Sequence, residues 1–215
     1  MTTMMGILTI ALAMTRAPTM AHADSIWLVV DAVVEADEGR RKETLRDIEA
    51  QARAALAEDE TSVRRRYDVA VVLGARANTE GGQAKVRAAS ELYEQLVAIL
   101  SADPGHVGAR HLLGRLHAGV RRMSGMTRWI ATNLLGGRTL GLATWESAEE
   151  NLAYAEAQAP DVPDHHLQLA LLFRDTGRRD LAATELQHTL ALPAATARDA
   201  AAQAEARRVW ASLPD

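Results

Sequence analysis

Histidine is the side chain best suited to bind a metal or to transfer protons near neutral pH, and three of the seven histidines in this chain lie close together. His106, His111 and His117 are five and six residues apart in one predicted helix. Because an α-helix turns about 100° per residue, these side chains point in different directions. Metal ligands on one helix face are instead typically three or four residues apart. The spacing therefore predicts no metal site on this helix.

The other groups that could carry catalysis are equally isolated. His165 and His166 are adjacent, so they face apart in a helix. Gly136 and Gly137 lack the preceding strand and the following lysine of a phosphate-binding loop. No arrangement of carboxylate, histidine and serine stands out. We predict that the protein is not an enzyme, with no catalytic residue, no metal and no cofactor.

Charge and cysteine content exclude further classes of function. The formal net charge is −4, and the basic runs Arg64-Arg65-Arg66 and Arg121-Arg122 are short. A nucleic-acid-binding face needs clustered positive charge, so we predict no nucleic-acid partner. The chain has no cysteine, which excludes disulfides and thiolate metal sites.

The elements that carry these residues are predicted to be helices. Nearly half of the chain, 48%, is apolar, and this share is rich in alanine and leucine, which are strong helix formers. No alternating runs of valine and isoleucine support strands. The fold class predicted from composition is therefore all-α.

A spacing of about 34 residues organises the second half of the chain and is typical of helix-turn-helix repeats. Ala148 precedes Leu152 by four residues, and Ala182 precedes Leu186 by the same step. Each such unit is too small to bury its own apolar face, so units must stack. The matching positions are Leu113, Gly114, His117, Ala148, Leu152, Ala155 and Pro160, followed by Leu169, Ala170, Phe173, Ala182, Leu186 and Pro193.

One unit is longer than its neighbour. Gly114 and Ala148 are 34 residues apart, whereas the equivalent Ala170 and Ala182 are 12 apart. The difference predicts an insertion at about residues 119–142, between the two helices of that unit. Insertions in repeat proteins map to loops on one face.

The insertion is apolar for a loop, and two interpretations stay open. It could fold back onto the helices, or it could contact a partner or a membrane surface. Arg121, Arg122, Arg128 and Arg138 flank the apolar residues and are compatible with anionic lipid. The predicted contact residues are Trp129, Ile130, Leu134 and Leu135.

The N-terminal residues are typical of an export signal. Residues 6–14 form a short apolar run, and Ala21-His22-Ala23 offers small residues at the −3 and −1 positions. No basic residue precedes the run, so a flexible N-terminus is the alternative. We predict a signal peptide at 1–23 and an exported, periplasmic or secreted protein. A degenerate helical pair at 24–61, repeats at 62–193 and a C-terminal capping helix at 194–215 follow.

The repeat spacing over residues 62–193 resembles the tetratricopeptide repeat (TPR) family, although Arg110 and His166 stand where that family usually has tryptophan. The resemblance implies a right-handed α-solenoid of three to four helix pairs whose inner helices form a concave groove. It places Asp68, Val71, Ala75, Gly108, Ala118 and Asp164 on that groove. It also implies the partner contacts Asn78, His111, Arg115, Leu167, Leu171 and Arg174, of which the two arginines could pair with carboxylates.

The chain also resembles the helical domain of the regulator of microtubule dynamics family. The shared features are the lengthened segment between helices, the run Leu134-Leu135-Gly136-Gly137, and a helix after it with the pattern Ala-Glu-x-x-Leu at 148–152. This resemblance implies the architecture. The function we predict is an exported adaptor that binds a protein or peptide in the groove. The alternative is a structural subunit that self-associates or sits on a membrane surface through the insertion.

Overall fold

The computed structural model describes residues 23–35 and 38–213, and the regular structure in these ranges is helical throughout. The prediction of an all-α chain is confirmed. Almost all of the predicted signal peptide lies outside the described residues. The helices are α1 (Ala23–Glu35), α2 (Glu38–Glu58), α3 (Val63–Thr79), α4 (Gly82–Ala102), α5 (Val107–Arg122), α6 (Gly125–Asn133), a 3₁₀ helix (Arg138–Leu142), α7 (Trp145–Gln158), α8 (Pro163–Asp175), α9 (Arg179–Ala191) and α10 (Ala197–Ser212).

Side-chain caps fix where several helices begin. The hydroxyl of Ser62 accepts a hydrogen bond from the backbone N–H of Arg65 at the start of α3. Thr196 and Asp199 form a reciprocal capping box at the start of α10. Both arrangements satisfy N–H groups that have no partner inside the helix. Gly39 lies in the first turn of α2.

The helices form four pairs and a final single helix. The pairs are α1 with α2, α3 with α4, α5 with α7, and α8 with α9, and α10 packs on the last pair. Helices α1, α3, α5, α8 and α10 contact one another in succession and form an inner layer. The second helix of each pair lies outside this layer and also contacts the first helix of the next pair. Successive pairs therefore bury apolar faces that one pair would leave exposed.

The residues that define the repeat spacing make the close contacts between paired helices. A Cβ atom on Gly114 of α5 would lie 2.6 Å from Cγ of Leu152 and 3.0 Å from the carbonyl oxygen of Ala148. Only glycine therefore allows α5 and α7 to approach this closely. In the next pair Ala170, Ala182 and Leu186 are fully buried. The other motif positions that are buried are Leu113, His117, Ala155, Leu169 and Phe173.

Ion pairs add contacts between the first and second pairs. Glu49 of α2 is buried and pairs with Arg53 of the same helix and with Arg76 of α3. Glu80, just after α3, pairs with Arg46 of α2 at 3.0 Å. These contacts fix the position of the first helix pair against the second.

The insertion is structured and was predicted only as a loop. Helix α5 continues through Gly119 to Arg122, and α6 and the 3₁₀ helix follow. Ala131, Leu140 and Ala143 are buried in the same apolar cluster as residues of α4. The insertion thus folds back onto α4 of the second pair with one face only. Among the described helices, none combines the length and the hydropathy needed to cross a bilayer.

Candidate functional site

A cavity of about 760 Å³ lies between the inner layer of helices and α4, and Leu140 of the 3₁₀ helix also lines it. Its walls are mainly apolar, with Val71 from α3, Leu112 and Leu116 from α5, and Leu167 from α8. Helices α1 and α10 also line it, so all five inner helices contribute. A volume of this size is typical of sites that bind a small ligand or a few side chains of a larger one.

The first and last inner helices meet at this cavity. Arg198 of α10 donates a hydrogen bond of 3.0 Å from Nη2 to Oδ2 of Asp31 in α1. The same guanidinium lies 3.7 Å from the ring centroid of Trp27 in α1. An open solenoid would leave its two terminal helices apart, whereas here a cation–π contact and an ion pair join them.

A buried carboxylate organises the polar side of the cavity. Asp164, at the start of α8, accepts hydrogen bonds from Nη1 of Arg115 (3.1 Å), from Nε2 of His111 (3.1 Å) and from Nε2 of Gln168 (2.9 Å). Burial by itself would raise the pKa of Asp164, but the Arg115 charge and the hydrogen bonds outweigh burial and hold the pKa far below its ordinary value. The carboxylate is therefore ionised and fixes the orientation of the Arg115 guanidinium.

The histidines beside this carboxylate are neutral at pH 7. Burial lowers the pKa of His111, although the hydrogen bond to Asp164 opposes the shift. The ring centroids of His111 and His165 are 4.5 Å apart. Burial, and then the neighbouring His111, lower the pKa of His165 to about 4. Neutral His111 donates from Nε2 to Asp164, so its role is to position the carboxylate.

The cavity is more positive than the protein as a whole. Its lining contains the cations Lys85, Arg115, Arg122 and Arg198 but only two carboxylates, Asp31 and Asp164. Arg122 pairs at 2.5 Å with Asp175, which lies outside the lining. In a chain of net charge −4, this excess of cations favours a ligand with an acidic group.

The predicted groove residues lie in different places. Asn78, Arg115 and Leu167 line the cavity, and His111 lies behind the lining against Asp164. Leu171 packs with the apolar cluster shared by α8, α9 and α10, and Arg174 donates two hydrogen bonds to Asp175. Of the other predicted groove positions, Val71, Ala75 and Asp164 also line the cavity. Trp27, Asp31 and Arg198 escaped prediction because their helices are far apart in sequence.

A second surface lies on the insertion. Trp129 and Leu134 are 55% and 64% exposed, and Met126, Ile130 and Leu142 are also exposed. Leu135, in contrast, packs inward against the main apolar cluster. Residues 104–145 contain six arginines and no acidic residue. We call the exposed residues Met126, Trp129, Ile130, Leu134 and Leu142 the insertion face.

A comparison with protein-family models gives a match over most of the chain. Residues 26–213 match the family model described as "Regulator of microtubule dynamics protein 1-3". The matched range contains every residue of the cavity lining, from Trp27 to Ala202. A search of curated proteins gave no significant match.

Proposed function

The chain belongs to the regulator of microtubule dynamics protein 1-3 family, and from this premise we propose that it is a non-enzymatic adaptor that binds a protein segment in the cavity of its inner helices. The observation that carries the proposal is a concave, mainly apolar cavity with a fixed cation inside it. We propose further that the stacked pairs form a TPR-like right-handed solenoid. Gly114 and Ala170 support this, because small residues recur where paired helices approach closely.

The chemistry of the lining indicates what kind of segment fits. Val71, Leu112 and Leu116 offer an apolar surface, which favours a segment with aliphatic or aromatic side chains. Arg115 keeps a third of its side chain exposed while one nitrogen is held by Asp164. Its remaining donors suit a carboxylate. We therefore expect a short segment that combines apolar side chains with an acidic one.

A substitution at Gly119 tests the proposal without disturbing the buried network. Gly119 lines the cavity on α5, and a Cβ atom there would meet no other atom within 4 Å. Gly119→Phe should fill the cavity and leave the fold intact, whereas Gly119→Ala adds only a methyl group. Peptides selected from a random display library on the full chain would be measured with both variants by fluorescence anisotropy.

We expect the selected peptides to be apolar with an acidic residue, and to lose at least about tenfold in affinity for Gly119→Phe, which corresponds to about 1.4 kcal/mol. Gly119→Ala should bind like the wild-type chain. Arg174→Ala is a further control, because this predicted groove residue lies outside the lining. Equal binding by Gly119→Phe and Gly119→Ala would contradict the proposal.

A second candidate function is favoured by the insertion face. An apolar face that carries tryptophan, methionine and leucine beside unpaired arginines is typical of helices that lie on anionic membranes. Arg128 and Arg138 take part in no ion pair with the described residues. We propose contact with an anionic membrane surface as this second function. Self-association through the same face is the competing outcome.

The proposal for the cellular location rests on residues outside the described ranges. The apolar run at 6–14 and Ala21-His22-Ala23 support export, so we propose that the adaptor acts in the periplasm or outside the cell. Fractionation of cells that express the tagged full chain tests this, because a cytoplasmic, uncleaved product would contradict it.

A further inference from the structure

Helices α8 and α9 bring together three side chains that do not line the cavity. Nδ1 of His166 lies 2.7 Å from Oε2 of Glu185, and Nδ1 of His188 lies 3.6 Å from the same oxygen. One possible ligand atom from each of the three residues lies within 4.8 Å of the other two. A tetrahedral zinc ion with bonds of about 2.0 Å spaces its ligands roughly 3.3 Å apart. Small side-chain rotations would bring all three atoms to that spacing.

Local structure fixes two of these ligands on one helix face. Glu185 and His188 are three residues apart on α9, so their side chains lie side by side. Leu186, between them, is fully buried and anchors α9 on α8. His166 is itself buried in α8 and presents its ring to Glu185. The cluster is therefore held by two rigid helices.

The backbone determines which nitrogen of His166 carries a proton. Nε2 of His166 lies 2.8 Å from the carbonyl oxygen of Pro160, which can only accept a hydrogen bond. Nε2 therefore carries a hydrogen, and Nδ1 is the atom that faces the Glu185 carboxylate. Two lone pairs at this distance require a cation between them, either a second proton or a metal ion. Metal-bound histidines commonly donate their other N–H to a carbonyl in this way.

We propose that His166, Glu185 and His188 bind one first-row divalent transition-metal ion such as Zn²⁺. Two imidazoles and one carboxylate suit this class of cation, whereas Mg²⁺ and Ca²⁺ prefer oxygen ligands throughout. The His188 side chain is 54% exposed, which gives the ion a route from solvent. Three protein ligands leave a fourth position for water or for a group from another molecule. The ion would clamp α9 to α8 in the last helix pair.

Titration of the chelator-treated full chain with ZnCl₂, followed by calorimetry, tests the site, and Co²⁺ gives a visible absorption spectrum as a second readout. We expect one ion per chain. His188→Ala and Glu185→Gln should each weaken binding by more than about 100-fold, since loss of an outer-shell partner alone costs about 10- to 100-fold. Because His188 is mostly exposed, His188→Ala should fold normally, which circular dichroism can verify.

His106→Asn is the matched control. It removes an imidazole at the start of α5, and asparagine preserves the N-cap that His106 provides for the N–H of Ala109. This variant should bind Zn²⁺ like the wild-type chain. The proposal would be overturned if the wild-type chain did not bind one Zn²⁺ ion, or if His188→Ala bound Zn²⁺ as tightly as the wild-type chain. In either case a proton, not a metal ion, lies between His166 and Glu185. Loss of peptide binding in Gly119→Phe is independent of this result.

Discussion

The guanidinium of Arg198 lies 3.7 Å from the ring centroid of Trp27, and this contact joins the last inner helix to the first. The two residues belong to helices that are neighbours neither in sequence nor in the order of stacking. The ion pair between Arg198 and Asp31 reinforces the contact. The cavity is therefore bordered by helices from both ends of the chain, which makes its shape sensitive to the position of α1 and α10.

Loss of this contact should destabilise the fold measurably. A cation–π contact contributes about 0.5–2 kcal/mol, and a partly exposed ion pair contributes less than about 1 kcal/mol. We expect Arg198→Ala to lower the free energy of unfolding in urea by about 1–2 kcal/mol. Arg208→Ala is the control on the same helix, because Arg208 is mostly exposed and its ion pair within the described part of the chain is with Glu205. Equal losses in the two variants would show that α1 and α10 are not coupled.

Two glycines of α5 should respond oppositely to the same substitution. Gly114→Ala places a methyl group against Leu152 and the Ala148 carbonyl and should lower stability by about 1–3 kcal/mol. Gly119→Ala adds the same group in open space and should raise stability by up to about 1 kcal/mol, since alanine favours helix over glycine. Urea unfolding of both variants gives the comparison. If both substitutions changed the free energy of unfolding in the same direction, the close approach of α5 and α7 would be contradicted.

Stability should fall as the pH is lowered through the range of the buried histidines. Burial lowers the pKa of His165 to about 4, whereas an unfolded histidine titrates near 6.5. Between these values the unfolded chain binds more protons than the folded chain, so acidification favours unfolding. The slope should reach about 1.4 kcal/mol per pH unit for His165, and His111 shifts in the same direction.

The control for this pH dependence is a variant in which His165 is replaced by a side chain that does not titrate. His165→Gln should reduce the slope between pH 6.5 and 4, measured by urea unfolding at a series of pH values. His166 does not interfere in this window, because hydrogen bonding to Glu185 raises its pKa and its stabilisation is lost only as the pH rises above 6.5. An unchanged slope in His165→Gln would assign the pH dependence to other groups.

The insertion face should bring the protein to anionic vesicles. We expect the full chain to float with vesicles that contain phosphatidylglycerol and to stay behind with phosphatidylcholine alone, because arginines flank the exposed Trp129 and Leu134. The double variant Trp129→Ser, Leu134→Ser should float at least about tenfold less. Trp210→Ser is the control, since Trp210 is also exposed but lies on α10.

Light scattering of the same proteins identifies the competing outcome. If the wild-type chain does not float but forms dimers that the double variant abolishes, the insertion face binds a second copy. A monomer that neither floats nor dimerises would leave this face without either proposed role.

Helices and their pairing could be predicted because local chemistry determines them. Ser62 and Thr196 satisfy the first N–H groups of α3 and α10 from within three residues. The repeat spacing could be recognised because its residues lie on paired helices. Gly114 and Leu152 lie on the pair α5 and α7, and Ala170 and Leu186 lie on the pair α8 and α9. Asn78, Arg115 and Leu167 were assigned to the groove from the TPR register, and all three line the cavity. The helical character of the insertion was missed because its apolar residues follow no clear period.

The amino-acid sequence by itself determined an all-helical chain of stacked pairs with an apolar insertion, since helix propensity, capping and repeat spacing act over a few residues or one helix pair. Only the tertiary structure decided that Arg198 meets Trp27 and that His166 meets Glu185 and His188. Those contacts depend on the curvature of the stack and on the relative rotation of neighbouring helices. Both properties arise from packing summed over many side chains, and no local pattern encodes them.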